Sequence, residues 1–208
     1  MPEQEEVDRV VPVVEAIKAR FDVKVSIDTS KALVMRESIR FGADMINDIR
    51  ALLEPGALAA VAASNVQVCL MHMQGQPRTM QQAPQYQDLM AEVSTFLAER
   101  VATCETAGIA RERLWLDPGF GFGKSLGDNY VMLKRLREFE SLGLPLLVGM
   151  SRKSMIGHLL GRDLGERLAG SIACALIAVQ QGAGIIRVHD VQETCDAIRV
   201  WQATEQGV

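Results

Sequence analysis

The sequence Leu114-Trp-Leu-Asp-Pro-Gly-Phe-Gly-Phe-Gly-Lys124 joins a short apolar run to a loop rich in glycine. Residues 114–116 are apolar and are followed by strong breakers, which predicts a short buried strand. Asp117 then stands where the strand ends, and in parallel α/β folds ligands bind at that edge of the sheet. Pro118 and the glycines exclude a helix and permit unusual backbone angles. Taken alone, the stretch fits equally well a turn whose aspartate caps a helix.

The same arrangement, an apolar strand that ends in a polar residue, recurs along the chain. Each predicted strand is followed by a predicted helix, and this alternation indicates a parallel sheet covered by helices. The strands are short and almost wholly apolar, as expected for strands buried on both faces. The predicted strands are residues 23–27, 45–46, 66–71, 114–116, 144–148 and 185–188. The predicted helices are residues 5–20 (kinked or starting late because of Pro12), 31–41, 55–63, 85–108, 126–142, 155–182 (in two pieces divided near 161–165) and 191–202, and residues 73–85 are a predicted polar loop.

Six strands are compatible with two α/β architectures. An open, doubly wound sheet needs only five or six strands, whereas a (β/α)8 barrel needs eight, typically in about 250 residues. The chain opens on a helix, as a barrel would if its first strand, first helix and second strand were missing. Residues 1–208 contain no linker or low-complexity segment, which predicts a single domain.

The composition excludes several classes of protein. The chain has 208 residues, of which 48% are hydrophobic and 23% charged, so it is long enough for a full core. A net charge of −4 argues against a nucleic-acid surface, and no apolar run reaches the roughly 20 residues needed to cross a membrane. The acidic N-terminus is unlike a signal or transit peptide. Cys69, Cys104, Cys174 and Cys195 are widely spaced, which predicts packing residues in a reduced, cytoplasmic chain.

Hydrogen-bonding and charged side chains stand at the predicted strand ends. In a parallel barrel these ends meet at one mouth, so the side chains are expected to converge there. Carboxylate and amide oxygens accept paired N–H donors and suit a flat, nitrogen-rich heterocycle, whereas Arg, His and Lys suit an anion such as phosphate. The set therefore predicts a ligand that consists of such a ring and carries a phosphate ester. Its members are Asp28, Asn47, Met71-His72, Asp117, Ser151-Arg152-Lys153 and Arg187-Val188-His189.

Several of these residues also have a purely structural interpretation. Asp28 could cap the following helix, Asn47 could be a turn residue, and Lys153 could be a solvated lysine. His72, between two methionines, fits a packed loop residue better than a ligand. Arg187 and His189 alternate with Val188, which predicts that the two share one face of a strand. An arginine that faces a sheet interior costs free energy unless it is paired, which favours a functional role.

Six motifs stand in order at residues 26–30 (Ser-Ile-Asp-Thr-Ser), 46–48 (Ile-Asn-Asp), 71–75 (Met-His-Met-Gln-Gly), 116–124 (Leu-Asp-Pro-Gly-Phe-Gly-Phe-Gly-Lys), 149–154 (Gly-Met-Ser-Arg-Lys-Ser) and 187–190 (Arg-Val-His-Asp). Together they resemble the bacterial dihydropteroate synthases, a family of pterin-binding barrels, over nearly the whole chain. The resemblance implies an α/β fold of the (β/α)8 TIM-barrel type, N-terminally incomplete, with about six of its eight βα units. It also implies a transferase of folate biosynthesis. Such an enzyme condenses 6-hydroxymethyl-7,8-dihydropterin diphosphate with 4-aminobenzoate, giving 7,8-dihydropteroate and diphosphate.

The resemblance implies roles for the motif residues. The acceptors would hold the pterin ring, the cations would hold the diphosphate, and the apolar side chains would form pocket walls. The implied pterin-binding residues are Asp28, Asn47, Met71, Asp117, Phe122 and Lys153. The implied diphosphate-binding residues are Arg187 and His189, and Ser151, Phe122 and Lys153 would lie on the aminobenzoate side. Lys153, Arg187 and His189 are the implied catalytic residues.

The resemblance also sets expectations about the start of the chain and its partners. Family members carry an N-terminal strand with an asparagine that binds Mg²⁺, and two loops that close over the aminobenzoate. Residues 1–6 match the second barrel helix, so the strand and both loops are expected to be absent, and no metal ligand is expected in this chain. Mg²⁺ on the diphosphate, a homodimer and sulfonamide inhibition are implied.

Two other functions fit part of the pattern. One is a non-catalytic pterin-binding protein, which would bind without turnover. The other is the pterin-binding domain of a corrinoid methyltransferase, which shares the barrel. Ser151, Lys153 and the pair Arg187 and His189 favour the synthase over the methyltransferase.

Overall fold

The computed structural model describes residues 1–75 and 84–207. Residues 76–83 of the predicted loop therefore lie outside the described part. The chain divides into two compact units: Met1–His72 with Thr95–Asp117, and Met73–Ser94 with Pro118–Val208. The single domain predicted over residues 1–208 stays a prediction.

The first unit is built on four parallel strands in chain order. They are β1 (Ser26–Asp28), β2 (Met45–Asp48), β3 (Gln67–Met71) and β4 (Leu114–Asp117). The register pairs Asp28 with Asn47 and Met71 with Asp117, so polar residues come side by side at the carboxyl ends of neighbouring strands. The residues of β2, β3 and β4 are almost wholly buried, as the apolar runs predicted, whereas in β1 only Ile27 is buried.

Helices alternate with these strands, beginning with a helix before β1. The helices are α1 (Glu3–Arg20), α2 (Ala32–Arg40), α3 (Ala57–Ala62) and α4 (Leu89–Thr106), of which α4 belongs to this unit from Thr95 onward. Helix α1 runs unbroken through Pro12, so the predicted late start is wrong. Pro12 is exposed, and water can therefore satisfy the carbonyl that its missing N–H leaves without a partner. The fully buried core of this unit includes Val34, Met35, Ile46, Val68, Leu70, Leu97, Leu114 and Leu116.

The second unit contains the parallel strands β5 (Leu146–Val148) and β6 (Ala183–Ile186). Its helices are α5 (Leu126–Lys134), α6 (Ser154–Leu160), α7 (Leu168–Gln180) and α8 (Val191–Gln206). The predicted division of residues 155–182 into two helices is confirmed. The six strands and their following helices confirm the predicted β-α alternation.

The predicted helix over residues 126–142 is wrong in its second half. Helix α5 ends at Lys134, and Leu136–Leu142 forms a 3-10 helix instead. Leu136 and Phe139 are fully buried and stand three residues apart, which matches the three-residue turn of a 3-10 helix.

The last strand ends two residues earlier than predicted. Arg187 and His189 were expected on a strand, but β6 ends at Ile186 and both residues lie in the segment after it. The backbone N–H of Arg187 donates to the carbonyl of Val148 over 2.8 Å, and Val148 is the last residue of β5. Since the partner strand stops there, β6 has no further carbonyl to pair with. Arg187 and His189 are both exposed, and the face of the sheet to which they point stays a prediction.

Candidate active site

In the first unit, the ends of β1 and β2 bring a carboxylate and an amide together. Asn47 donates from Nδ2 to Oδ2 of Asp28 over 3.4 Å, and the two residues are register partners. Asn47 is buried whereas Asp28 is exposed. The Oδ1 atom of Asn47 is buried and accepts no hydrogen bond from the residues that the structure describes. A buried acceptor of this kind is costly unless water or a ligand supplies a donor.

Asp48, which sequence reasoning did not single out, organises the loop after β2. Its fully buried carboxylate accepts from Ser30 Oγ over 2.5 Å and from the backbone N–H groups of Arg50 and Leu52 over 2.9 and 2.8 Å. Burial raises the pKa of Asp48 against the opposing effect of these donors. The bond to Ser30 ties the loop after β1 to the loop after β2. The sequence signal that could have identified Asp48 is the alternation of side chains along β2. Because Asn47 and Asp48 are neighbours on a strand, their side chains point to opposite faces of the sheet.

The ends of β3 and β4 supply Met71 and Asp117, which are register partners and are both buried. The backbone N–H of His72 donates to the carbonyl of Asp117 over 2.9 Å. The His72 ring meets the Phe96 ring edge-on, with centroids 5.1 Å apart. The prediction that His72 is a packed residue is therefore confirmed.

In the second unit, Lys153 is held against the glycine-rich stretch, residues 118–125, here called the glycine loop. Lys153 Nζ donates to the carbonyl of Phe120 over 2.5 Å and lies 4.6 Å from the centre of the Phe122 ring. Gly121 has φ +77°, and a Cβ there would lie 3.1 Å from Lys153 Cδ. Glycine at this position therefore lets the lysine stem lie along the loop. The predicted neighbours Phe122 and Lys153 are thus brought together.

Ser151 and His189 also meet in the second unit. Ser151 Oγ accepts from the backbone N–H of His189 over 3.1 Å and lies 3.0 Å from its ring Nδ1. The contact at Nδ1 orients the imidazole ring. Beside them, the Arg152 guanidinium pairs with the Asp190 carboxylate and holds the pKa of Asp190 below its ordinary value. This pairing fixes the backbone on both sides of the Ser151–His189 contact.

The four cysteines differ in their exposure to solvent. Cys69, Cys104 and Cys174 are buried, but Cys195 is exposed, so the packing role predicted for it is wrong. Burial raises the pKa of Cys104 and of Cys174 to about 11, which keeps both as thiols.

Over residues 1–75 and 84–207, no group of three or more His, Cys, Asp or Glu side chains is placed to hold a metal ion. No described residue is therefore assigned to a metal ion.

Comparison with known proteins places this site in a class. A profile of the family described as "Pterin binding enzyme" matches residues 1–189. The dihydropteroate synthase of Escherichia coli K12 is 63% identical over 201 residues, which are 97% of this chain and 71% of that protein. The enzyme of Haemophilus influenzae is 56% identical over 202 residues, covering 97% of this chain and 74% of the relative.

Solved structures agree over the whole chain. A dihydropteroate synthase of Yersinia pestis, in complex with a sulfonamide drug, has a TM-score of 0.98 at 57% identity and covers 100% of this chain and 76% of its own. The Xanthomonas albilineans enzyme in complex with 7,8-dihydropteroate has a TM-score of 0.93 at 50% identity, over 99% of this chain and 76% of its own. The chain belongs to the dihydropteroate synthases, the pterin-binding transferases of folate biosynthesis. The predicted α/β fold of TIM-barrel type is confirmed. Among the described residues, no helix is both long and apolar enough to span a bilayer.

Proposed function

We propose that this chain condenses 6-hydroxymethyl-7,8-dihydropterin diphosphate with 4-aminobenzoate, and that the ends of β1, β2 and β4 bind the pterin. The observation that carries the proposal is the buried Oδ1 of Asn47, which accepts no hydrogen bond from the described residues. Asp28, held by Asn47 Nδ2, adds carboxylate acceptors beside it. A pterin ring presents N–H donors in one plane, which match such a row of acceptors. Met71 and Asp117 would complete this part of the pocket.

The second unit carries the cationic residues to which the proposal assigns the diphosphate. Arg187 and His189 would bind the diphosphate, since guanidinium and imidazole groups donate to phosphate oxygens. Ser151 supports this role because its contact with Nδ1 orients the imidazole ring of His189. Lys153 would lie beside the pterin, with Phe122 as a wall of the aminobenzoate pocket.

The reaction depends more on stabilising the negative charge of the leaving diphosphate than on a strong general base. If diphosphate leaves before the amine attacks the pterin methylene, charge develops on the departing oxygen, and positioned cations lower the energy of that state. Lys153, Arg187 and His189 are therefore the proposed catalytic residues. The amine of 4-aminobenzoate attacks the methylene carbon, the carbon–oxygen bond to diphosphate breaks, and the amine proton is released.

Four further assignments belong to this proposal. Mg²⁺ would accompany the diphosphate, since it binds phosphates with few protein ligands, and no step is assigned to it here. A homodimer is supported by apolar side chains exposed on α7 and α8, among them Leu168, Ile177 and Val200. A cytoplasmic location is supported by the wide spacing of the four cysteines along the chain. Sulfonamide inhibition is supported by the drug bound to the Yersinia enzyme.

Substitution of Asn47 tests the proposal. Dihydropteroate formation by the purified chain is measured with both substrates and Mg²⁺, and pterin binding is measured by calorimetry. Asn47→Ala is expected to weaken pterin binding about 10- to 100-fold, the usual cost of losing one buried hydrogen-bonding group. Asn65→Ala is the matched control, because Asn65 is exposed in the same unit.

The alternatives predict different outcomes. Pterin binding without dihydropteroate formation would support a non-catalytic binding protein and overturn the proposed reaction. Methyl transfer from methyl-tetrahydrofolate to a corrinoid would support the methyltransferase. Equal pterin affinity in Asn47→Ala and Asn65→Ala would overturn the assignment of the pterin site.

A further inference from the structure

The buried side chain of Asn129 holds the backbone of the glycine loop. Asn129 lies in the first turn of α5 and is 2% exposed. Its Oδ1 accepts from the backbone N–H of Gly121 over 2.7 Å. Its Nδ2 donates to the carbonyls of Ser125 and Lys124 over 2.7 and 3.3 Å. The carboxamide therefore connects the middle of the loop to its end.

An asparagine is required for this combination of contacts. A carboxamide offers an acceptor and two donors on one short side chain, and both kinds of group are used here. The start of α5 is secured separately by a capping box, in which Ser125 Oγ accepts from Asp128 N–H and the Asp128 carboxylate accepts from Ser125 N–H. Adjacent residues thus do different work: Asp128 starts the helix and Asn129 shapes the loop.

The backbone that Asn129 holds is the backbone that carries Lys153 and Phe122. The Phe120 carbonyl, directly before Gly121, accepts from Lys153 Nζ over 2.5 Å. Phe122, directly after Gly121, places its ring 4.6 Å from the same Nζ. A shift of the Gly121 peptide would therefore displace both partners of the ammonium group.

We propose that Asn129 is a positioning residue that sets the place of Lys153 and Phe122 for the transfer reaction. The proposal rests on the proposed function, because it takes Lys153 as catalytic. Asn129 acts through the loop, because its side chain forms hydrogen bonds with the backbone of Gly121, Lys124 and Ser125. Misplacement of a reacting group by about 1 Å can lower a rate about 100-fold. In Asn129→Ala, kcat per folded molecule is therefore expected to fall about 10- to 100-fold.

Asp128→Ala is the matched control, since it weakens the helix start but leaves the bond from Gly121 to Asn129. Both variants are compared by hydrogen exchange of the loop amides and by kcat at a temperature where each is folded. Should Asn129→Ala not fold, Asn129→Ser, which leaves a smaller void, takes its place. Faster exchange at Gly121 and a lower kcat in the Asn129 variant alone are the expected results.

Two results would count against different claims. Equal exchange at Gly121 and equal kcat in the Asn129 and Asp128 variants would overturn the positioning role. If the unmodified chain forms no dihydropteroate, the proposed function is overturned. In that case, faster exchange at Gly121 in the Asn129 variant would still support its hold on the loop.

Discussion

Asp44 and Asp48 show how the surroundings of a carboxyl group decide its titration. Burial acts to raise the pKa of Asp44, but Val25 N–H and the ammonium groups of Lys18 and Lys24 outweigh it and hold the pKa at about 2. For Asp48, burial prevails over its donors, and the pKa is raised. The two groups therefore affect the free energy of unfolding in opposite directions as the pH changes.

Asp44→Asn tests the first of these effects. The folded-state pKa of Asp44, about 2, lies below its ordinary value of 3.8, so its stabilisation is complete above that value and is lost as the pH falls towards 2. Asp44→Asn is expected to lower the free energy of unfolding at pH 7 by about 1–2 kcal/mol, allowing for solvent screening of the partly exposed pair. The difference from the unmodified chain should shrink between pH 4 and about pH 2.

Urea unfolding over a series of pH values measures this difference. Asp22→Asn, at an exposed position two residues after the end of α1, is the control and should change little. A deficit in Asp44→Asn that stays constant from pH 7 to about pH 2 would contradict the assigned role.

At the scale of elements, the glycine loop takes its shape from side chains outside it as well as from its own glycines. Tyr86 donates from its hydroxyl to the Gly123 carbonyl over 2.7 Å, and Asn129 holds Gly121. Burial raises the pKa of Tyr86, which keeps its hydroxyl protonated as a donor. A loop held in this way can present Phe122 and Lys153 in one arrangement.

Gly123→Ala is expected to be more damaging than an ordinary glycine substitution. Gly123 has φ +61°, and a Cβ there would overlap the carbonyl oxygen of Gln74 and lie 2.9 Å from its backbone N. Gly161, at the end of α6, has φ +62° with no atom within 4 Å of such a Cβ. Gly161→Ala should cost only the left-handed strain, about 1 kcal/mol, whereas Gly123→Ala should cost roughly 2–4 kcal/mol. Equal midpoints of urea unfolding for the two variants would show that the overlap with Gln74 does not add to the destabilisation of Gly123→Ala.

At the scale of the whole molecule, binding of the pterin should stabilise the folded chain. A ligand at 100 times its Kd adds about 2.7 kcal/mol to the free energy of unfolding. For a chain of this length, that corresponds to a rise of roughly 5–10 °C in Tm. Thermal unfolding with increasing pterin diphosphate measures the rise, which should be reduced in Asn47→Ala and retained in Asn65→Ala. A Tm that does not depend on the pterin concentration would contradict binding to the folded state.

The amino-acid sequence by itself determined the order of strands and helices and the polar residue at most strand ends. These features are local, because an apolar run and the breakers beside it lie within a few residues of each other. The residues from Leu114 to Asp117 illustrate this, since strand and terminal carboxylate were both predicted and both found. The ordered motifs were also sufficient to indicate the family.

Only the tertiary structure decided which residues are partners and where each element stops. Strand β6 ends at Ile186 because its neighbour β5 ends at Val148. The order of apolar and polar residues around Arg187 gives no sign of where the strand ends. The hold of Tyr86 on Gly123 spans 37 positions of the chain, and the bond from Asn47 to Asp28 spans 19. Such contacts depend on packing between distant segments. The buried Oδ1 of Asn47, which accepts no hydrogen bond from the described residues, and the bonds from Asn129 to the glycine loop are therefore visible only in the folded chain.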